Sequence, residues 1–243
     1  MVPLSTAKID TTGELMSRRH FLHSLLSGLT LGHVCDGTYA HAPSRSSFSL
    51  SSDKLVREAT QLSIPGGKLM PVPKFLVVHF TCGMSGRSSV AWWNKPQAKG
   101  VNAHFVIERD GELLQCRPCN RMCAHAGPSI WKGVRGLNAC SIGIELANAG
   151  NAVQQGLLFG KYRAPHGVTR ATHKNGLTAD WENYSEAQLK TCFQLAAMLH
   201  EEYQFQDIVG HDDIAPLRKN DPGPLFPMEA LQNFCGLTPT TKQ

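Results

Sequence analysis

Between Gly210 and Pro227 the chain reads Gly-His-Asp-Asp-Ile-Ala-Pro-Leu-Arg-Lys-Asn-Asp-Pro-Gly-Pro-Leu-Phe-Pro. This one segment carries an imidazole (His211), a cation (Lys219) and a carboxylate (Asp221). Pro216, Pro222, Pro224 and Pro227 forbid a continuous helix, because proline lacks an N–H donor and clashes with the preceding turn. In extended chain, side chains two apart point the same way, so Lys219 and Asp221 are expected to face one centre. That is the pattern of a metal ligand beside a charge stabiliser. The alternative, unrelated polar loop residues, is open on residue chemistry alone.

A second half-site lies upstream. Lys74-Phe-Leu-Val-Val-His79-Phe80 is a short apolar, partly β-branched run that reads as a buried strand ending in a histidine. Two histidines and an aspartate would give three protein ligands, and three ligands with an open position is the catalytic zinc pattern. A third apolar run, Ser141-Ile-Gly-Ile-Glu145-Leu146, carries a carboxylate that is costly to bury unless it is paired or catalytic. Beside an activated water, Glu145 could take a proton and return it. Equally, it could point at solvent.

These segments resemble the zinc-dependent N-acetylmuramoyl-L-alanine amidases of the type-2 amidase family, related to phage amidase lysozymes and peptidoglycan-recognition proteins. The resemblance runs from about Lys74 to Leu231. It is carried by Val-Val-His79-Phe-Thr, Ala103-His104-Phe-Val-Ile-Glu-Arg-Asp-Gly111 and Ala124-His125-Ala-Gly127. It continues through Ser129-Ile-Trp-Lys-Gly133, Ser141-Ile-Gly-Ile-Glu145, Gly210-His211-Asp-Asp-Ile-Ala-Pro216 and Arg218-Lys-Asn-Asp-Pro-Gly-Pro224.

The resemblance implies one Zn2+ held by His79, His211 and Asp221, with Glu145 carrying the proton and Lys219 stabilising the oxyanion. The implied reaction is hydrolysis of the amide between the lactyl group of N-acetylmuramic acid and L-alanine, in peptidoglycan or muropeptides. Ala103 stands where one branch of the family has a tyrosine, which favours the glutamate branch. Phe80 follows the first ligand where anhydro-muropeptide-specific members commonly carry asparagine, which points to the broader-specificity periplasmic members. His125, Trp131, Arg135 and Asn138 precede the glutamate strand and are expected to line a substrate groove. His104 is expected to be structural. A non-catalytic peptidoglycan-recognition module is the competing reading, and it would keep the groove while losing a ligand or the base.

Ser17-Arg-Arg-His-Phe-Leu22 resembles the twin-arginine export signature. A modestly apolar stretch follows, then Ala40-His-Ala42, a small-x-small cleavage site, so residues 1–42 are expected to address the protein to the periplasm. Met16 directly before the motif offers an alternative start. The apolar stretch is shorter than the roughly 20 residues a membrane span needs, so no stable membrane insertion is expected. A net charge of +5 suits an anionic wall polymer, and no basic–aromatic interleaving suggests nucleic acid.

Of eight cysteines, Cys116, Cys119 and Cys123 cluster in sequence, without the second pair that a structural zinc site requires. Buried thiols are the simplest reading of that trio, and one disulfide within it is the alternative. A thiol-redox or cysteine–metal protein is a further competing function.

The elements that must position these residues read as one domain over 74–235, with a central mixed β-sheet flanked by helices, an α/β fold of the α+β type. Residues 43–73 read as a linker ordered from about Ile64, and 236–243 as a tail. Ser88 or Ser89 is a candidate N-cap for a short helix through Trp92 and Trp93. Arg109-Asp-Gly-Glu112 reads as a hairpin turn. The clearest helix runs from Glu186 to about Tyr203, opened by a Ser185/Gln188 capping box. Between Gly150 and Trp181 lies a polar, glycine-containing insertion whose His166 and His173 are not expected to be ligands.

Overall fold

A computed structural model of the chain describes residues 47–151 and 164–239. The export-signal reading of residues 1–42 lies outside the described residues, as does the end of the tail from 240. The described part belongs to a compact unit spanning Pro43–Gln243.

The sheet is built from β1 (Thr60–Gln61), β2 (Phe75–Phe80), β3 (Phe105–Ile107), β4 (Leu113–Gln115), β7 (Ser141–Leu146) and β10 (Asp207–Gly210) in the order β1-β4-β3-β7-β2-β10. β2 runs parallel to both β7 and β10, and β3 runs parallel to β7 but antiparallel to β4. β2 and β7 are buried along their whole length, which explains their near-continuous apolar sequences: parallel strands covered on both faces have no solvent side to keep polar. Their register sets His79 opposite Glu145. Two ribbons stand apart from the sheet: β5 (Ile130–Trp131) with β6 (Val134–Arg135), and β8 (Val168–Thr172) with β9 (Thr178–Glu182).

The helices are α1 (Gly86–Trp93), α2 (Glu186–Tyr203), a single turn α3 (His211–Ile214) and α4 (Met228–Phe234). α2 begins where its sequence says, with Ser185 and Gln188 exchanging the two capping hydrogen bonds. α1 starts earlier than expected. Its cap is Ser85, answered by Ser88 three residues on, so Ser88 is the reciprocating residue and Ser89 lies within the helix. Trp93 is core while Trp92 is exposed. α3 fits its proline-rich segment because it ends before Pro216. On the His79 side of the sheet, Phe75, Val77 and Val209 pack with Ala126, Leu137, Ile214 and Ala215. Among the described residues no helix is long and apolar enough to cross a membrane.

The stretch read as a linker is a correction. From Leu50 onward it wraps the sheet edge: Leu50 bridges Val56, β1 pairs with β4, and Val56, Ile64 and Met70 are buried. The Val56 N–H donates to Gln115 Oε1 at 2.7 Å, and the N–H groups of Leu62 and Ile64 donate to the carbonyls of Gln115 and Cys116. β4 would otherwise present an open edge, and this strap closes it. Widely spaced single apolar anchors carry no periodicity, which is why the sequence resembles a linker. Met70→Ala is therefore expected to cost about 2–5 kcal/mol in denaturant unfolding; a residue in a true linker would change the midpoint negligibly.

Candidate metal and catalytic site

At the carboxyl ends of β2 and β10 the chain delivers His79 from the strand itself and His211 as the first residue of α3. Asp221 arrives on the loop that follows α3. His79 Nδ1, His211 Nδ1 and Asp221 Oδ2 converge: 2.9 Å between the two nitrogens, and 3.0 and 2.9 Å from them to the oxygen. All three residues are buried. Burial opposes charge on Asp221, but the neighbouring His211 and His79 rings prevail and hold the carboxyl well below the usual range. Burial, joined by the neighbouring His211, pushes His79 down to about 4, so its ring is neutral as a metal ligand must be.

The outward-facing nitrogens of these rings explain the arrangement. His79 Nε2 lies 2.9 Å from His125 Nδ1, and His125 Nε2 faces the Ser141 carbonyl at 3.3 Å. His211 Nε2 lies 3.1 Å from the Ala126 carbonyl, which also accepts a hydrogen bond from Arg218 Nη2. The hydrogen-bond network thus assigns an Nε2–H donor to each ligand ring, leaving each Nδ1 with a lone pair. Three lone-pair atoms within 3.0 Å of one another repel unless a cation lies between them. A cation about 2 Å from each would touch all three, and the N, N, O donor set suits zinc. The residues present fit that group.

Glu145 borders the cluster from the adjacent strand. It is buried, and its Oε2 has no hydrogen-bond partner among the described residues. Burial and the nearby Asp221 charge push its carboxyl up to about 8, partly offset by Lys219. Lys219 is half-buried, and its charge is felt by both His79 and Glu145. The structure therefore gathers all five residues singled out in the sequence.

The expected groove residues fare differently. His125 lies beneath His79 as a support, in a space that only glycine at 143 leaves open: a Cβ there would sit 2.6 Å from the ring. Asn138 Oδ1 accepts the Ala126 N–H, and Trp131 Nε1 donates to Asp207 Oδ2, so both are engaged in holding loops. Arg135 is exposed on β6. His104 is structural, its two ring nitrogens bonded to the Arg121 carbonyl and the Gly143 N–H. Sequence reasoning missed the support role of His125; the signal was Gly143 interrupting a strand, which marks a close approach. The seven described cysteines are all free thiols, and Cys116, Cys119 and Cys123 are buried.

Residues 69–224 match the family model described as N-acetylmuramoyl-L-alanine amidase. The chain belongs to this amidase family. It is 34% identical over 170 residues to the N-acetylmuramoyl-L-alanine amidase AmiD of Escherichia coli strain K12, covering 66% of this chain and 52% of that protein. The crystal structure of an AmpD derivative superposes with a TM-score of 0.56 at 26% identity, covering 76% of this chain and 99% of that one. The E. coli AmiD complex with anhydro-N-acetylmuramic acid-L-Ala-D-gamma-Glu-L-Lys superposes with a TM-score of 0.53 at 29% identity, covering 72% and 62%. The chain spans about half the length of the curated amidases it matches. These amidase structures share its central mixed sheet flanked by helices.

The buried Glu145 carboxyl has a consequence for stability. Its folded pKa, about 8, lies above the ordinary 4.5, so the folded state keeps a proton that the unfolded chain loses as pH rises between those values. Stability of the metal-free protein is lost across that window. Glu145→Gln removes the penalty and is expected to stabilise the metal-free protein by on the order of 3 kcal/mol at pH 7, and negligibly at pH 4. Thermal unfolding of both proteins in chelator, from pH 4 to 8, checks it; a difference that does not grow with pH refutes the assignment.

Proposed function

We propose that the protein is a zinc-dependent N-acetylmuramoyl-L-alanine amidase, hydrolysing the amide between the lactyl group of N-acetylmuramic acid and L-alanine in peptidoglycan or muropeptides during cell-wall turnover or recycling. The observation that carries this reading is the buried His79/His211/Asp221 cluster with Glu145 on the neighbouring strand, its Oε2 without a hydrogen-bond partner among the described residues. Membership of the amidase family supports it, as does the muropeptide named as substrate of the AmiD complex.

The ligands would be His79, His211 and Asp221, and zinc bound there supplies Lewis acidity toward water and the scissile carbonyl. Glu145 takes the proton of the attacking water and delivers it to the departing L-alanine nitrogen. A carboxylate buried beside the ligand cluster, with no hydrogen-bond partner on Oε2 among the described residues, is placed to accept that proton and pass it on. Lys219 places a positive charge where the carbonyl oxygen becomes negative. The buried floor of the site strengthens both effects.

The decisive experiment is mass spectrometry of a defined muropeptide incubated with the full chain, with zinc and after chelation. Zinc-dependent release of a peptide beginning with L-alanine, beside an intact sugar, is expected. Glu145→Gln is expected to lower kcat about 10²–10⁴-fold and Lys219→Ala about 10²–10³-fold, both with zinc still bound. Muropeptide binding without cleavage in zinc-replete protein would make the chain a recognition module instead.

For localisation we propose periplasmic delivery by twin-arginine export machinery, supported by Ser17-Arg18-Arg19-His20-Phe21-Leu22 and the Ala40-His41-Ala42 site. Replacing Arg18 and Arg19 together by lysine is expected to retain the protein in the cytoplasmic fraction; undiminished periplasmic recovery would refute this route.

A further inference from the structure

The geometry points to the β8–β9 hairpin as a brace for the metal site, with His173 as a positioning residue that acts through Asp212. This inference rests on the zinc reading of the site. The insertion that carries His173 supplies no ligand, yet it touches the chain beside each of the three. Trp181 and Ala179 of β9 share a core with Phe80, the neighbour of His79. His173 and Lys174, in the hairpin turn, grip Asp212, the neighbour of His211. Trp181 also lies against Gly223, two residues past Asp221, where a Cβ would sit 3.1 Å from the indole.

The grip on Asp212 is the most specific of these contacts. Its two carboxylate oxygens are divided between His173 Nε2 at 2.7 Å and Lys174 Nζ at 2.7 Å, and both Asp212 and His173 are more than nine-tenths buried. The His173 ring has one way to satisfy both neighbours as a neutral imidazole. Nδ1 accepts the Asn175 N–H at 3.2 Å, so Nε2 carries the hydrogen and donates to Asp212. Stacking on Trp181, with ring centroids 5.8 Å apart and planes 29° from parallel, holds the imidazole in that orientation.

Asp212 in turn donates its backbone N–H to the Asp221 carbonyl at 2.8 Å. One residue thus ties the chain at His211 to the chain at Asp221. The spacing of two ligands ten residues apart in the chain is fixed by a residue whose side chain the hairpin holds. Without His173, a buried carboxylate keeps one partner of two and turns toward water, taking the His211–Asp221 tie with it. The ligand atoms then lose the convergence that one cation requires, and outer-shell changes of this kind cost roughly 10–100-fold in metal affinity.

Zinc affinity of the full chain, measured by competition with a chromophoric chelator well below each variant's melting temperature, tests the brace without relying on activity. His173→Ala is expected to bind zinc roughly 10–100-fold more weakly. His173→Gln, whose amide can donate to Asp212, should recover most of the loss. Lys174→Met should weaken binding several-fold, and Thr191→Ala, on α2 away from the site, should not change it. A folded His173→Ala protein with a lowered melting temperature and wild-type zinc affinity would overturn the brace alone, leaving the zinc site intact. If His173→Ala does not fold, wild-type affinity in Lys174→Met overturns it. A wild-type chain that binds no zinc overturns both the brace and the reading beneath it.

Discussion

The structure turns on an unfavourable encounter: two imidazole nitrogens and a carboxylate oxygen held within 3.0 Å of one another in a buried pocket. Atoms that all present lone pairs do not gather by mutual attraction, so the surrounding fold must impose the geometry, and the proposed zinc would compensate for it. Much of the nearby structure can be derived from that requirement. The parallel β2–β7–β10 core fixes the rims from which two ligands and Glu145 project. His125 and the Ala126 carbonyl occupy the outer nitrogens of the ligand rings, which selects the tautomer with lone pairs turned inward.

Glu145 is the complementary sacrifice. A buried carboxyl whose Oε2 has no hydrogen-bond partner among the described residues opposes folding, and Lys219 offsets only part of its displacement toward about 8. An apolar residue would stabilise the strand better. The destabilised group is what proton transfer at an amide requires, since a carboxylate fully satisfied by hydrogen bonds would be too weak a base to take a proton from water. The stability invested in the sheet, including the strap that closes the β4 edge, makes that local cost tolerable.

How much of this could be read from the sequence depended on how local the signal was. The strands ending at His79 and Glu145 were legible because burial on both faces leaves an unmistakable apolar run, and α2 because Ser185 and Gln188 spell its cap within four residues. The five chemistry-bearing residues stand out because imidazoles and carboxylates interrupt apolar runs and a polar loop, and the fold brings them together. The strap over 50–70 was not, since its anchors Val56, Ile64 and Met70 answer to a distant strand and follow no period. The sequence does not distinguish a groove position for His125 from one beneath His79, because a histidine in a loop motif looks the same from either side. Only the glycine opposite its ring distinguishes the two positions.

The cluster also shows why ligands on loops need support from outside their own segment. Pro216 stiffens the backbone between His211 and Asp221, but fixing φ at one position does not fix the distance between two side chains ten residues apart. Closing that distance takes a cross-link, and in a buried site the available cross-links are hydrogen bonds whose partners are themselves held. The Asp212 N–H to the Asp221 carbonyl is one, and the Ala126 carbonyl shared by His211 and Arg218 is another. The first joins the two ligand-bearing segments to each other, and the second joins His211 to a loop that carries no ligand of its own. The accuracy of the proposed metal site would therefore be set by residues with no chemistry to perform, and their substitution would be felt at the metal before it was felt by the fold.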